Sequence, residues 1–88
     1  MEFSEQLYIG PSIRHRKERI LNRMEQGKMV VSLYCIARAA NQIDLYDIYS
    51  YHELRQDYYK KHPVKIVGLA GSREEAIGIA AYMIRKTI

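Results

Sequence analysis

Met29-Val30-Val31-Ser32-Leu33-Tyr34-Cys35-Ile36-Ala37 is the stretch that decides the architecture of this 88-residue chain. Its residues suit a pleated backbone, and they are apolar on both alternating faces. Met29, Val31, Leu33, Cys35 and Ala37 fall on one face; Val30, Ser32, Tyr34 and Ile36 fall on the other. A strand of this kind is ordinarily covered on both sides, so it is the expected central strand. Asn41-Gln42 then signals a turn. Ile43 to Tyr49 reads either as a strand hairpinned back on the first or as a helical turn, and its aromatic and β-branched content favours the strand.

The flanks supply helices. On the N-terminal side Gly10-Pro11-Ser12 is punctuation, and Ile13, Ile20, Leu21 and Met24 recur at helical spacing up to Gly27. Ser12 is the expected N-cap of this first helix and Gly27 its left-handed terminator. On the C-terminal side Ser50-Tyr51-His52-Glu53 is a capping box for a second helix running to about Lys61, ended by Pro63. Tyr49 and Leu54 stand where a hydrophobic staple would pair them. Val64 to Ala70 reads as a third strand, and Ser72-Arg73-Glu74-Glu75 opens a third helix that continues near the C-terminus. Residues 1–11, with Phe3, Leu7 and Ile9 at odd positions, read as an edge strand or an arm packed on the body.

The expectation is an α+β fold: a single small domain of order αββαβα, with a three-stranded mixed sheet covered by helices. A right-handed crossover sets the third strand parallel to the second, and the spatial order becomes 2-1-3 with the doubly apolar strand in the middle. A chain of this size buries roughly 64% of its unfolded surface, enough for one modest core. Little material is left to protect sheet edges, and self-association is a natural remedy. The longest apolar run falls well short of the roughly 20 residues of a membrane span, and Met-Glu-Phe-Ser-Glu is acidic where a secretory leader would be basic. A cytoplasmic protein without membrane contact is expected. Cys35, the single cysteine, reads as an inert buried thiol.

Three segments carry a further signal: Tyr34-Cys35-Ile36-Ala37, Leu54-Arg55-Gln56-Asp57-Tyr58-Tyr59, and Val67-Gly68-Leu69-Ala70-Gly71-Ser72-Arg73-Glu74-Glu75-Ala76. Across Val30 to Ala76 this pattern resembles a family of small, uncharacterised bacterial proteins of similar length. The resemblance implies the same coarse architecture and a bacterial origin, and it implies no activity.

Charge is unevenly placed. The net charge is +4, and six Lys or Arg (Arg14, Arg16, Lys17, Arg19, Arg23, Lys28) against Glu18 and Glu25 put that whole excess between Ser12 and Lys28. Arg16, Arg19 and Arg23, at i, i+3 and i+7, form a cationic stripe opposite Ile13, Ile20 and Met24. Such a stripe is a candidate contact for anions or nucleic acid, with the steep salt dependence of phosphate binding. The simpler reading is a solvated face on which the two glutamates make local pairs. A zinc finger and an aromatic RNA-binding signature are both lacking.

Tyrosine is the second anomaly. Eight of the nine aromatic residues are Tyr, and Tyr46, Tyr49, Tyr51, Tyr58 and Tyr59 fall within one 14-residue window. Tyrosine offers large contact area with a hydroxyl at its tip, which suits protein interfaces. Tyr51, Leu54 and Tyr58 share a helix face, and Arg55 stands four residues before Tyr59, where it can stack on the ring. The candidate interaction surface is therefore Tyr46, Tyr49, Tyr51, Arg55, Tyr58 and Tyr59; the alternative is a set of rings that merely roof a small core. Helix three, with Ala76, Ile77, Ile79, Ala80, Ala81, Met83, Ile84 and Ile88, is apolar over a wide arc, and Gly78 suggests close packing there; the helix either presents part of that arc to a second subunit, as another candidate contact surface, or lies deeply over the small sheet.

Chemistry finds little support. His15, His52 and His62 are dispersed, no spacing supplies three or four metal ligands, and the Gly68/Gly71 junction lacks a nucleotide fingerprint. No catalytic, metal or cofactor-binding residues are assigned and no cofactor is expected. The first expectation is a non-enzymatic protein-interaction or self-associating module, a homodimer or a binder of a protein partner. Nucleic-acid binding through the basic helix over 12–28 is the alternative, and an enzyme with a site shared between subunits comes third.

Overall fold

A computed structural model describes residues 2–38 and 46–87. Strands β1 (Glu2–Ile9), β2 (Tyr34–Arg38), β3 (Tyr46–Ser50) and β4 (Lys65–Ala70) form one mixed sheet in the order β1-β4-β2-β3. The expected three-stranded sheet is thus corrected to four strands. β1 joins as a full edge strand, parallel to β4, held at its ends by Glu2 N–H to the Val64 carbonyl (3.2 Å) and Gly10 N–H to the Leu69 carbonyl (2.8 Å). Its odd-numbered apolar residues Phe3, Leu7 and Ile9 pack on the core, and a break in register between Phe3 and Tyr8 absorbs the polar residues among them. The other three strands lie in the expected 2-1-3 order. β2 is antiparallel to both β3 and β4, which makes those two parallel to each other. The turn at Asn41-Gln42 and the first part of the second strand, 43–45, lie outside the described residues.

The doubly apolar stretch contributes less strand than its composition predicts. Only Tyr34 onward pairs: the Lys28 and Met29 carbonyls are claimed by side chains, and the Leu33 carbonyl accepts the last bond of the β2–β3 ladder. The Arg23 guanidinium donates twice to the Met29 carbonyl (Nε 3.2 Å, Nη2 2.8 Å), the Tyr51 hydroxyl donates to the Lys28 carbonyl (3.0 Å), and the Tyr51 N–H takes the Leu33 carbonyl (2.8 Å). Ser32 turns through a positive φ of 55°, and Val31 is left 78% exposed.

A bulge in β4 then sets the two faces. Ile36 faces Gly68 while the next residue, Ala37, faces Ile66, so Val67 is the extra residue. The kink sends Ile66 and Leu69 to one core and Val67 and Ala70 to the other.

One core is closed by helix α1 (Lys17–Glu25) and the short helix α2 (Tyr51–Leu54), with Ile13, Ile20, Met24, Tyr51 and Leu54 packed on Cys35, Ile66 and Leu69. The other is closed by α4 (Arg73–Thr87), whose Ala76, Ala80 and Met83 cover Ile36, Val67 and Ala70. The start of the first helix differs from expectation. Residues Arg14–Arg16 form a 3-10 turn before α1, with no side-chain cap, because the Ser12 hydroxyl instead donates to Glu75 (2.7 Å). The end is as expected: Gly27 sits at φ 71°, with Gly27 N–H bonded to Met24 (3.0 Å) and Lys28 N–H to Arg23 (2.9 Å), a Schellman termination.

The expected second helix is broken in two. α2 stops at Leu54 and α3 (Asp57–Lys61) restarts after Gln56, whose ψ of 152° is extended. Ser50 does cap, accepting from Glu53 N–H (3.2 Å), while the Glu53 carboxylate accepts from the Tyr59 hydroxyl (3.4 Å). The second box behaves similarly. Ser72 accepts from Glu75 N–H (3.1 Å), and the Glu75 carboxylate turns back to Gly71 N–H (2.8 Å), Ser12 N–H (3.1 Å) and the Ser12 hydroxyl. Glu75 thereby clamps the β1–α1 connection to the start of α4. Burial raises its pKa, but the hydrogen bonds from Gly71 and Ser12, aided by the charge of Arg14, prevail and hold it below the usual carboxylate value.

Candidate functional site

The tyrosine-rich window does not form one surface. Tyr51 is a core residue, 1% exposed, with its hydroxyl committed to the Lys28 carbonyl. Tyr46 lies on the α4 side of the sheet, packed on the second core. Arg55 does not stack on Tyr59; its guanidinium reaches the loop after α1, donating to the Gly27 carbonyl (3.2 Å) and contacting the Met29 sulfur (3.1 Å).

The remaining three tyrosines do come together, and with a partner that sequence spacing failed to flag. Tyr49 on β3 meets Tyr59 edge-to-face at 5.5 Å, Tyr59 meets Tyr58 edge-to-face at 5.0 Å, and Tyr58 stacks on His62 at 4.4 Å and 19°. The helix break makes this arrangement. Restarting at Asp57 lets Tyr59 turn toward β3 while Tyr58 points outward, 60% exposed. His62 is fixed as well, its Nδ1 3.0 Å from the Tyr58 carbonyl oxygen. An i, i+4 Tyr-His pair is visible in the sequence; that it continues a ladder from an edge strand is not. Hydroxyls line the inner end, where Tyr49 donates to Asp47 (3.5 Å) and Tyr59 to Glu53. Burial, followed by the neighbouring carboxylates, raises the pKa of both phenols.

The basic face is built as expected in outline. Arg16, Arg19 and Arg23 are exposed, and Ile13, Ile20 and Met24 are buried behind them. Arg23 is nevertheless partly structural, because its guanidinium holds the Met29 carbonyl. Glu18 and Glu25 make no ion pair with the stripe. Among the described residues the one ion pair is Lys60 with Asp57 at 3.7 Å, on a different helix. A shallow, open hollow runs along Arg14, His15, Arg16, Lys17 and Arg19.

Comparison with protein-family models, with curated proteins and with solved structures finds no match for this chain. The functional reading therefore rests on geometry.

That geometry offers little for bond-making chemistry. Burial pushes the Cys35 thiol up to about 12, beyond use as a nucleophile at neutral pH. The shifted tyrosines rise, Glu75 falls and Lys86 rises, so each keeps more firmly the form it already has near neutrality. Among the described residues no three metal-ligating side chains converge. No helix of the structure is long and apolar enough to cross a membrane.

Helix α4 presents Ile77 and Tyr82 to solvent beside Gly78, where an added Cβ would meet nothing within 4 Å. The close packing expected at Gly78 is absent within the described residues of the chain.

Proposed function

We propose that this protein is a non-enzymatic association module and that its contact surface is the β3 edge with the Tyr49-Tyr59-Tyr58-His62 ladder, occupied by a second copy of the chain. The observation that carries the reading is the exposed Tyr58 ring, held between Tyr59 and His62 beside an edge strand. A ring fixed on two sides loses little side-chain entropy when a partner covers it, and aromatic residues of this kind dominate interface energetics. An edge strand adds main-chain donors and acceptors that a second β3 can satisfy in antiparallel pairing.

Light scattering on a size-exclusion column tests this. Twice the 10.4 kDa chain mass is expected for the native protein, shifting toward the single-chain mass in Tyr58→Ser. Because Tyr58 lies outside both cores, its loss leaves the fold intact by circular dichroism. A monomeric native protein, or a variant with unchanged mass, would overturn the reading.

A second reading, nucleic-acid binding by the first helix, is favoured by one observation: its arginines are not paired with Glu18 or Glu25. Co-purified nucleic acid would raise the 260/280 nm ratio strongly in a protein without Trp. Salt-sensitive binding that falls in Arg16→Gln/Arg19→Gln supports this reading, and binding unchanged in that variant removes it.

A further inference from the structure

On the face of the sheet opposite the tyrosine ladder, α4 lies mainly over β4, β2 and β3. The same side of β1 is left largely uncovered, and a hollow of about 190 Å³ opens there, between β1, the sheet and the last turns of α4. Five chain segments converge on it. β1 contributes Ser4, Gln6 and Tyr8, β2 contributes Arg38, β3 contributes Tyr46, and α4 contributes Lys86, over an apolar floor of Val67 and Met83. Tyr8 is braced edge-to-face on Tyr82 (6.2 Å), and the Lys86 ammonium lies 5.3 Å from the Tyr82 ring centre.

The composition of this hollow is one-sided. Two cations line it together with hydroxyl and amide donors, and none of its described lining residues is acidic. It differs from the basic hollow of the first helix, which includes Glu18. Arg55 and Lys60 also line the hollow between α1, α2 and α3, but there Arg55 is committed to the Gly27 carbonyl and Lys60 is paired with Asp57.

We propose that this hollow is a binding site for a phosphate group, free or carried on a small organic body. A carboxylate presents two oxygens and one charge, which a single guanidinium satisfies. A phosphate monoester near neutrality carries close to two negative charges and three terminal oxygens. The fork of Arg38, the ammonium of Lys86 and the donors of Ser4, Gln6, Tyr8 and Tyr46 match that larger demand. The apolar floor and flanking rings leave room for a short organic group. The volume is below that of pockets for drug-sized ligands, which excludes a dinucleotide.

The probes are inorganic phosphate, phenyl phosphate and benzoate, followed by amide shifts in two-dimensional NMR at low salt. Phenyl phosphate is expected to saturate at roughly millimolar concentration or below, with shifts centred on Gln6, Tyr8, Arg38, Tyr46 and Lys86. Arg38→Gln/Lys86→Gln is expected to weaken it at least about tenfold. Both side chains are exposed, so that variant keeps its core. Gln6→Glu provides an independent check, since it leaves both cations and places a negative charge against the ligand. Equal binding of inorganic phosphate assigns the site to the free ion, and tighter phenyl phosphate assigns it to an ester. Absence of saturation, shifts confined to Arg14–Arg19, benzoate binding as tightly as phenyl phosphate, or affinity unchanged in both variants would each overturn the proposal.

Discussion

Replacing Glu75 by Gln should loosen the join between the first connection and α4, and the structure sets the size of the effect. One carboxylate oxygen accepts from Gly71 N–H at 2.8 Å and the Ser12 hydroxyl at 2.7 Å, and the other accepts from Ser12 N–H at 3.1 Å. Three donors thus converge on a single anion. Glutamine offers one carbonyl oxygen and one amide NH2, so in either orientation at least one N–H faces another donor. Hydrogen bonds to a charged group contribute about 1.5–3 kcal/mol each when buried, but Ser12 is exposed and Gly71 half-buried, so water and screening reduce the loss. A net destabilisation of about 1–2 kcal/mol is expected for Gln, and about 2–3 kcal/mol for Ala. For a domain of this length each kcal/mol lowers Tm by about 4–8 °C. The effect also depends on pH. The folded-state pKa is lowered, so the stabilisation is fully present above the ordinary value of 4.5 and is lost as pH falls through the folded-state value. Urea titrations of wild type and Glu75→Gln should therefore differ at neutral pH and converge in acid, once Glu75 is protonated in the folded state as well. A difference under about 0.5 kcal/mol at pH 7, or one that persists unchanged in acid, would refute the clamp.

Cys35 is fully buried with its thiol pushed up to about 12, so native protein should resist iodoacetamide and react only as fast as it unfolds. Its folded-state pKa is raised, so the associated stability is complete below 9.0 and declines as pH rises from there toward about 12. Tyr51→Phe, which keeps the ring in the core but removes the bond to the Lys28 carbonyl, should cost about 1 kcal/mol in urea unfolding. Gly27→Ala meets no steric neighbour within 4 Å, yet the φ of 71° disfavours any side chain, so a loss of about 1 kcal/mol is expected from backbone strain alone. A neutral result there would mean that the first helix ends in some other way.

What the chain determines locally is legible along it. The capping serines Ser50 and Ser72, the Gly27 termination and the long α4 all depend on partners within a few residues. Short-range rules of spacing and backbone preference therefore suffice for them. The relative order of β4, β2 and β3 was legible as well, since a doubly apolar strand has to lie inside a sheet. Tertiary structure decided the rest. β1 became a strand because β4 was available as its parallel neighbour, a pairing its interrupted pattern of Phe3, Leu7 and Ile9 only hinted at. Met29–Leu33 left the strand because Arg23 and Tyr51 claimed the Met29 and Lys28 carbonyls and Ser32 turned through a positive φ. The break at Arg55-Gln56 separated the tyrosines, sending Tyr51 inward and Tyr58 outward, where an unbroken helix would have kept them on one face. Ser12, read as a cap for its own helix, bonds instead to a carboxylate 63 residues away. Such a partner exists only once the chain has closed on itself, because donors and acceptors choose by distance in space, and sequence spacing describes only the nearest of them.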